Sequence, residues 1–237
     1  MLVSAAVCPH PPLLLPGLTG SADVGAALRA ACAEALDEAL AAGPDRVVVV
    51  GGAATTATWD GTAEVDPSPY GGFGRTPAAG PGARLPLSLM VGRTLLDASS
   101  WSGPVALQGI AADSAPADCA RLGAALADGA STTLLVMGDG SARRGPKAPG
   151  YVDERALTFD DSATRGLSRA DVEALAALEP DVAAELLVAG RAAWQVLAGA
   201  LGHRSAAGRL LLADDPFGVL YLVLAWRTSG GRGEVPG

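Results

Sequence analysis

The run Arg46–Val50 (RVVVV), leading into Gly51-Gly52, is the feature that most restricts what this chain can fold into. Four consecutive valines put apolar side chains on both faces of an extended segment, so that segment needs cover on both sides. A second apolar run, Leu2 to Cys8, is ended by Pro9 and reads as another buried strand. Between them Ser21 can cap a helix reaching Ala42, with Val24, Leu28, Cys32, Leu36 and Leu40 on one stripe. Gly43-Pro44 stops it. A strand, a helix and a strand with a crossover of this length make a parallel pair, which places the chain in the α/β class.

The pattern continues. Leu87 to Ala98 reads as a helix, Val105 to Ile110 as a strand, Pro116 to Asp128 as a helix and Thr132 to Met137 as a strand. Ser168 with Asp171 forms a capping box, and Glu179-Pro180 starts a longer helix. On that helix Val182, Leu186, Leu197 and Leu201 share a face, with Trp194 as core beside them. Leu210 to Leu212 and Val219 to Trp226 are the last strands. The expected architecture is a three-layer α/β/α sandwich around a mostly parallel or mixed sheet, one domain over residues 1–237. The Gly/Pro-dense stretch 61–86 has no period and reads as one long loop at the sheet end, fit to be a lid. Residues 228–237 read as a mobile tail.

Composition removes several classes of function. Hydrophobic residues at 49% and charged residues at 18% exclude a disordered chain. A net charge of −8 argues against a nucleic-acid partner. Three cysteines with no C-x-x-C pair support neither a zinc knuckle nor a redox pair and suit a reducing cytosol. The N-terminus lacks a basic region before its apolar run, and no window approaches the roughly 20 apolar residues of a membrane span. A cytoplasmic protein without a membrane partner is expected. Only two histidines, His10 and His203, are present, which caps metal and acid–base chemistry.

Ligands of open α/β sheets gather at the carboxyl ends of the strands. His10 lies there between prolines that stiffen its loop. Gly52 and Thr55 follow the valine strand, and the glycine admits a ligand close to the backbone. GDGSARRGPK, with Gly140, Ser141, Arg143, Arg144 and Lys147, has the makings of an anion nest. Asp214, before the last strand, can supply a carboxylate.

Taken in order, PHPPLL, VVVV-GG, LPLSL, MGDGSARRG and DDPFGVLYLVLAW resemble the class III extradiol ring-cleavage dioxygenases. This is the family of the protocatechuate 4,5-dioxygenase catalytic subunit, to which the Memo proteins are related. The resemblance implies an α/β/α sandwich whose active members hold Fe(II) with two histidines and a carboxylate, a further histidine serving as acid–base catalyst. His10 falls on the first metal histidine and Asp214 on or near the carboxylate. Gly52-Ala53-Ala54-Thr55 stands where the second metal histidine is implied, and Ala142 where the catalytic histidine is implied.

The leading expectation is therefore a dioxygenase-like protein with an incomplete Fe(II) site. It would carry no cofactor and bind a small anionic or aromatic molecule without ring cleavage. One alternative is an enzyme with a rebuilt site, using either a divalent metal on His10, Asp214 and His203 or metal-free acid–base chemistry at His10. Another is a partner-binding scaffold that uses the 61–86 loop. The sequence leaves the oligomeric state open.

Overall fold

The computed structural model describes residues 1–18, 23–72 and 84–229. Seven strands form one mixed sheet in the order β3-β4-β2-β5-β1-β7-β6. They are β1 (Leu2–Cys8), β2 (Arg46–Ala53), β3 (Ala57–Trp59), β4 (Val105–Ala111), β5 (Thr132–Met137), β6 (Ala206–Asp214) and β7 (Tyr221–Thr228). β4, β2, β5 and β1 run parallel, while β3, β7 and β6 join by antiparallel pairing.

Strand alternation divides the core in two. Val48, Val50, Leu134, Val136, Leu222 and Leu224 face one layer; Val47, Val49, Leu135, Met137, Val223 and Ala225 face the other. The first layer holds α3 (Pro116–Leu126), α4 (Arg155–Arg169), α5 (Val172–Ala176), α6 (Pro180–Glu185) and α7 (Arg191–Leu201). The second holds α1 (Ala26–Leu40) and α2 (Leu87–Asp97). The chain is thus an α/β sandwich, and Trp194 is core, fully buried on α7.

Several elements differ from the sequence reading. A short edge strand at 57–59, β3, was not expected; its Trp59 rests against Gly109 of β4. Helix α4 was not expected, because its Thr, Asp and Ser residues are weak helix formers. Its buried stripe of Ala156, Phe159, Ala163 and Leu167 nonetheless follows helical spacing. Asp171, not Ser168, is the cap that acts: its side chain accepts from Ala174 N–H at the start of α5. The long helix expected from Glu179 is two helices, broken where Leu187 takes a left-handed φ of 57°. Strand β6 is longer than Leu210–Leu212, and α1 begins at Ala26. The proposed cap Ser21, the centre of the 61–86 loop (73–83) and most of the tail (230–237) lie outside the described residues. The described ends of that loop are tied by an ion pair between Arg84 and Asp66 at 3.2 Å.

Candidate functional site

The carboxyl ends of β1, β2, β4 and β5 share one edge of the sheet, as the parallel registers require. In that register Cys8 and Gly51 both lie beside Met137. The residues two positions further on, His10 and Asp139, are therefore neighbours. The Asp139 carboxylate accepts the His10 backbone N–H at 2.8 Å, and the same oxygen lies 3.6 Å from His10 Nδ1. His10 is 9% exposed, and its Nδ1 is enclosed with no hydrogen-bond partner. Asp139 is held in turn, since its carbonyl oxygen accepts from Gly190 N–H at 2.8 Å, joining the site to the start of α7.

This is an imidazole fixed by prolines on one side and by a carboxylate on the other, with Nδ1 turned to the carboxylate. Nε2 is then the nitrogen able to meet a ligand. Asp139 was missed by sequence reasoning, which treated the GDG turn as an anion nest. The signal available was a carboxylate two residues beyond a buried parallel strand, level with a histidine two residues beyond its neighbour. Cys8 adds no thiolate chemistry: its Cys32 neighbour and its burial hold the thiol well above its ordinary pKa.

Tyr221, on β7, is buried beside this edge. Burial, reinforced by the negative charge of Asp139, pushes its phenol up to about 12. A raised acid pKa means that the unfolded chain releases this proton first. The contribution to stability is complete below pH ~10 and is lost as pH rises toward 12. Tyr221→Phe should remove the phase centred near pH 12 from a spectrophotometric tyrosinate titration. If that phase persists in the variant, the buried phenol is not its source.

The anion nest does not form as expected. After β5 the N–H groups are spent inside the fold: Gly138 on Cys8 O, Gly140 on Leu220 O, Ala142 on Leu186 O and Arg144 on Gly218 O. Ser141 N–H and Oγ both donate to Asp160, at 2.9 and 2.6 Å. Arg144 donates to Asp160 at 2.9 Å and to Asp215 at 2.6 Å. Burial opposes its charge, yet these two carboxylates hold its proton more tightly than usual. Gly140, Ser141 and Arg144 are therefore structural here. Arg143 donates to Tyr151 O at 3.2 Å, and Lys147 is exposed.

The remaining candidates are spread out. Gly52 is not in a loop but within β2, paired with Ile110, and its carbonyl accepts from Ser88 Oγ at 2.6 Å. Thr55 is exposed in the turn to β3. Ala142, where the resemblance implies a catalytic histidine, is buried. Asp214 stands at the same sheet edge as His10, but β7 separates its strand from β1. It is exposed, accepts from Asp215 N–H, and lines a cavity of about 110 Å³ with Leu13, Phe217 and Tyr221. His203 is at the far end of the molecule. Its neighbour Arg204 donates to Leu2 O at the start of β1, roughly 20 Å of strand away from His10. A His10/His203/Asp214 metal centre is thereby corrected: the topology holds the two histidines apart.

The donor set does not fit the iron that the resemblance implies. Among the described residues no three His, Cys, Asp or Glu side chains come together as ligands. The residues outside them contain one carboxylate, Glu234, and no histidine or cysteine. A facial two-histidine, one-carboxylate site cannot be assembled at this edge from one copy of the chain.

No family model matches the chain, and no curated protein matches it at a significant level. Among solved structures it is similar to the crystal structure of an uncharacterized protein from Escherichia coli K12. The TM-score is 0.50 at 12% identity, over 95% of this chain and 99% of that one. At that identity the likeness shows the α/β fold alone. Among the described residues no helix is long and apolar enough to cross a membrane.

Proposed function

We propose that this chain is a class III dioxygenase-like protein that binds a small aromatic or anionic molecule at the His10–Asp139 edge without cleaving a ring. The observation that carries the reading is the enclosed His10 imidazole, whose Nδ1 faces Asp139 and has no other partner. A ligand hydroxyl or carboxyl would meet Nε2. The absence of ring opening in this reading is supported by the donor set, since this edge has one histidine where the chemistry calls for metal ligands and a separate acid–base group. The same pair favours one second reading, metal-free acid–base catalysis by His10, because a carboxylate beside Nδ1 orients the ring and leaves the far nitrogen to face a substrate.

The test titrates catechol, protocatechuate and benzoate into the protein while following the His10 ring by NMR. Oxygen uptake is measured in parallel after anaerobic Fe(II) loading. Saturable shifts of His10, affinity lowered at least ~10-fold in His10→Ala (about 1.4 kcal/mol), and no enzyme-dependent oxygen uptake are expected. Stoichiometric iron that is lost in His10→Ala, together with oxygen uptake, would overturn the reading.

A further inference from the structure

Where β6 runs into β7 the chain encloses a small cavity that neither His10 nor Asp139 lines. Its volume of about 110 Å³ is roughly the share of three to four water molecules. Leu13, Leu28 and Leu212 make its apolar wall, and Phe217, Tyr221 and Asp214 supply its chemistry. Two local devices bring these side chains together. Asp214 and Tyr221 are directly opposite in the antiparallel β6–β7 pair, so they share a face of the sheet, the one covered by α1. Between them Gly218, at a φ of 72°, donates its N–H to Asp215 O at 2.9 Å and closes the turn that carries Phe217.

The charge at this cavity is one-sided. Asp214 is exposed at the rim, where its carboxylate accepts the Asp215 N–H and, among the described residues, pairs with no cation. The arginines close by in the fold are spent elsewhere: Arg29 on Asp23 and the Leu13 carbonyl oxygen, Arg144 on Asp160 and Asp215. Tyr221 is 5% exposed and feels the negative charge of Asp139, and among the described residues nothing hydrogen-bonds its hydroxyl. An anion here would face carboxylates with no cation to meet it. A hard metal ion would want six or more oxygen ligands, and the leucines offer none. A positive group with an apolar shell suits every wall, because aromatic rings also attract cations within about 6 Å of their centres. In so small a space an occupant touches both rings.

We propose that this cavity binds the ammonium end of a small alkylamine, a site additional to the His10–Asp139 edge. The ammonium N–H groups donate to the Asp214 carboxylate and the Tyr221 hydroxyl oxygen, while the alkyl carbons lie against Leu13, Leu28 and Phe217. The volume sets the bound group at roughly four or five heavy atoms.

Tert-butylammonium and tert-butanol, alike in shape and different in charge at pH 7, make the test. Each is titrated at constant ionic strength while the Phe217 and Tyr221 ring resonances are followed by NMR, with circular dichroism confirming the fold of each variant. Saturable shifts in the millimolar range are expected with tert-butylammonium, and binding of tert-butanol at least ~10-fold weaker. Asp214→Asn should weaken the ammonium probe at least ~5-fold and leave tert-butanol unchanged, and Phe217→Ala should weaken the ammonium probe ~3-fold. Equal affinity for the two probes overturns the proposal. So do shifts that show no saturation up to about 100 mM, or an Asp214→Asn variant that binds the ammonium probe as the wild type does.

Discussion

Asp160→Ala is expected to lower stability by roughly 3–5 kcal/mol, the cost of removing one partner from a buried charged network. Asp160 is fully buried, and one carboxylate satisfies three donors: Ser141 N–H, Ser141 Oγ and Arg144 Nη1. The variant leaves an N–H and a hydroxyl buried without acceptors and the Arg144 guanidinium with only the exposed Asp215. For a chain of this length the melting temperature should fall by on the order of 10 °C. Asp160→Asn keeps the shape and one acceptor oxygen, so its loss should be smaller. Because the Ser141 turn also carries Asp139, His10 should lose its fixed orientation in the alanine variant before the sheet melts. Thermal unfolding of both variants, with the His10 ring resonance followed by NMR, checks this. An alanine variant melting within about 2 °C of wild type would mean that the network is not holding the turn.

The same network explains what the sequence concealed. The strands of the sheet centre were legible because burial on both faces demands unbroken apolar runs, as in RVVVV and LVSAAVC. The segments after β1, β2 and β5 could be placed at one edge because parallel strands leave no choice about which ends meet, whereas Asp214 reaches that edge through two antiparallel pairings. The state of the GDGSARRG turn could not be read in the same way. Glycines and arginines in a loop look alike whether their donors face a ligand or a buried carboxylate. Asp160, which takes three of them, sits on α4, a helix whose polar composition masks its apolar stripe. The role of Asp139 depends on a register between β1 and β5, two strands separated by more than a hundred residues. The distance between His10 and His203 likewise depends on α7 running back across the sheet, which spacing along the chain does not encode.

Gly123→Ala sets two rules against each other, and the packing rule should win. Gly123 lies inside α3, where alanine is favoured over glycine by ~1 kcal/mol on helix propensity alone. A methyl group there would stand 2.6 Å from the Ala200 nitrogen and closer still to the Val196 carbonyl oxygen, both backbone atoms of α7. Neither can swing away as a side chain would. The reverse contact is equally tight, because a methyl on Gly199 of α7 would press on the backbone of Ala120. The two helices approach through paired glycines, and any added carbon must push their axes apart. Overpacking of this kind costs typically 1–3 kcal/mol and sometimes more. With rigid backbone on both sides, the upper end of that range applies and exceeds the propensity gain. Since Gly190, which precedes α7, donates its N–H to the Asp139 carbonyl oxygen, the displacement should also reach the His10 edge. Urea unfolding measures the balance: a net loss of about 2 kcal/mol is expected, and a variant more stable than wild type would show that the helices can separate at little cost.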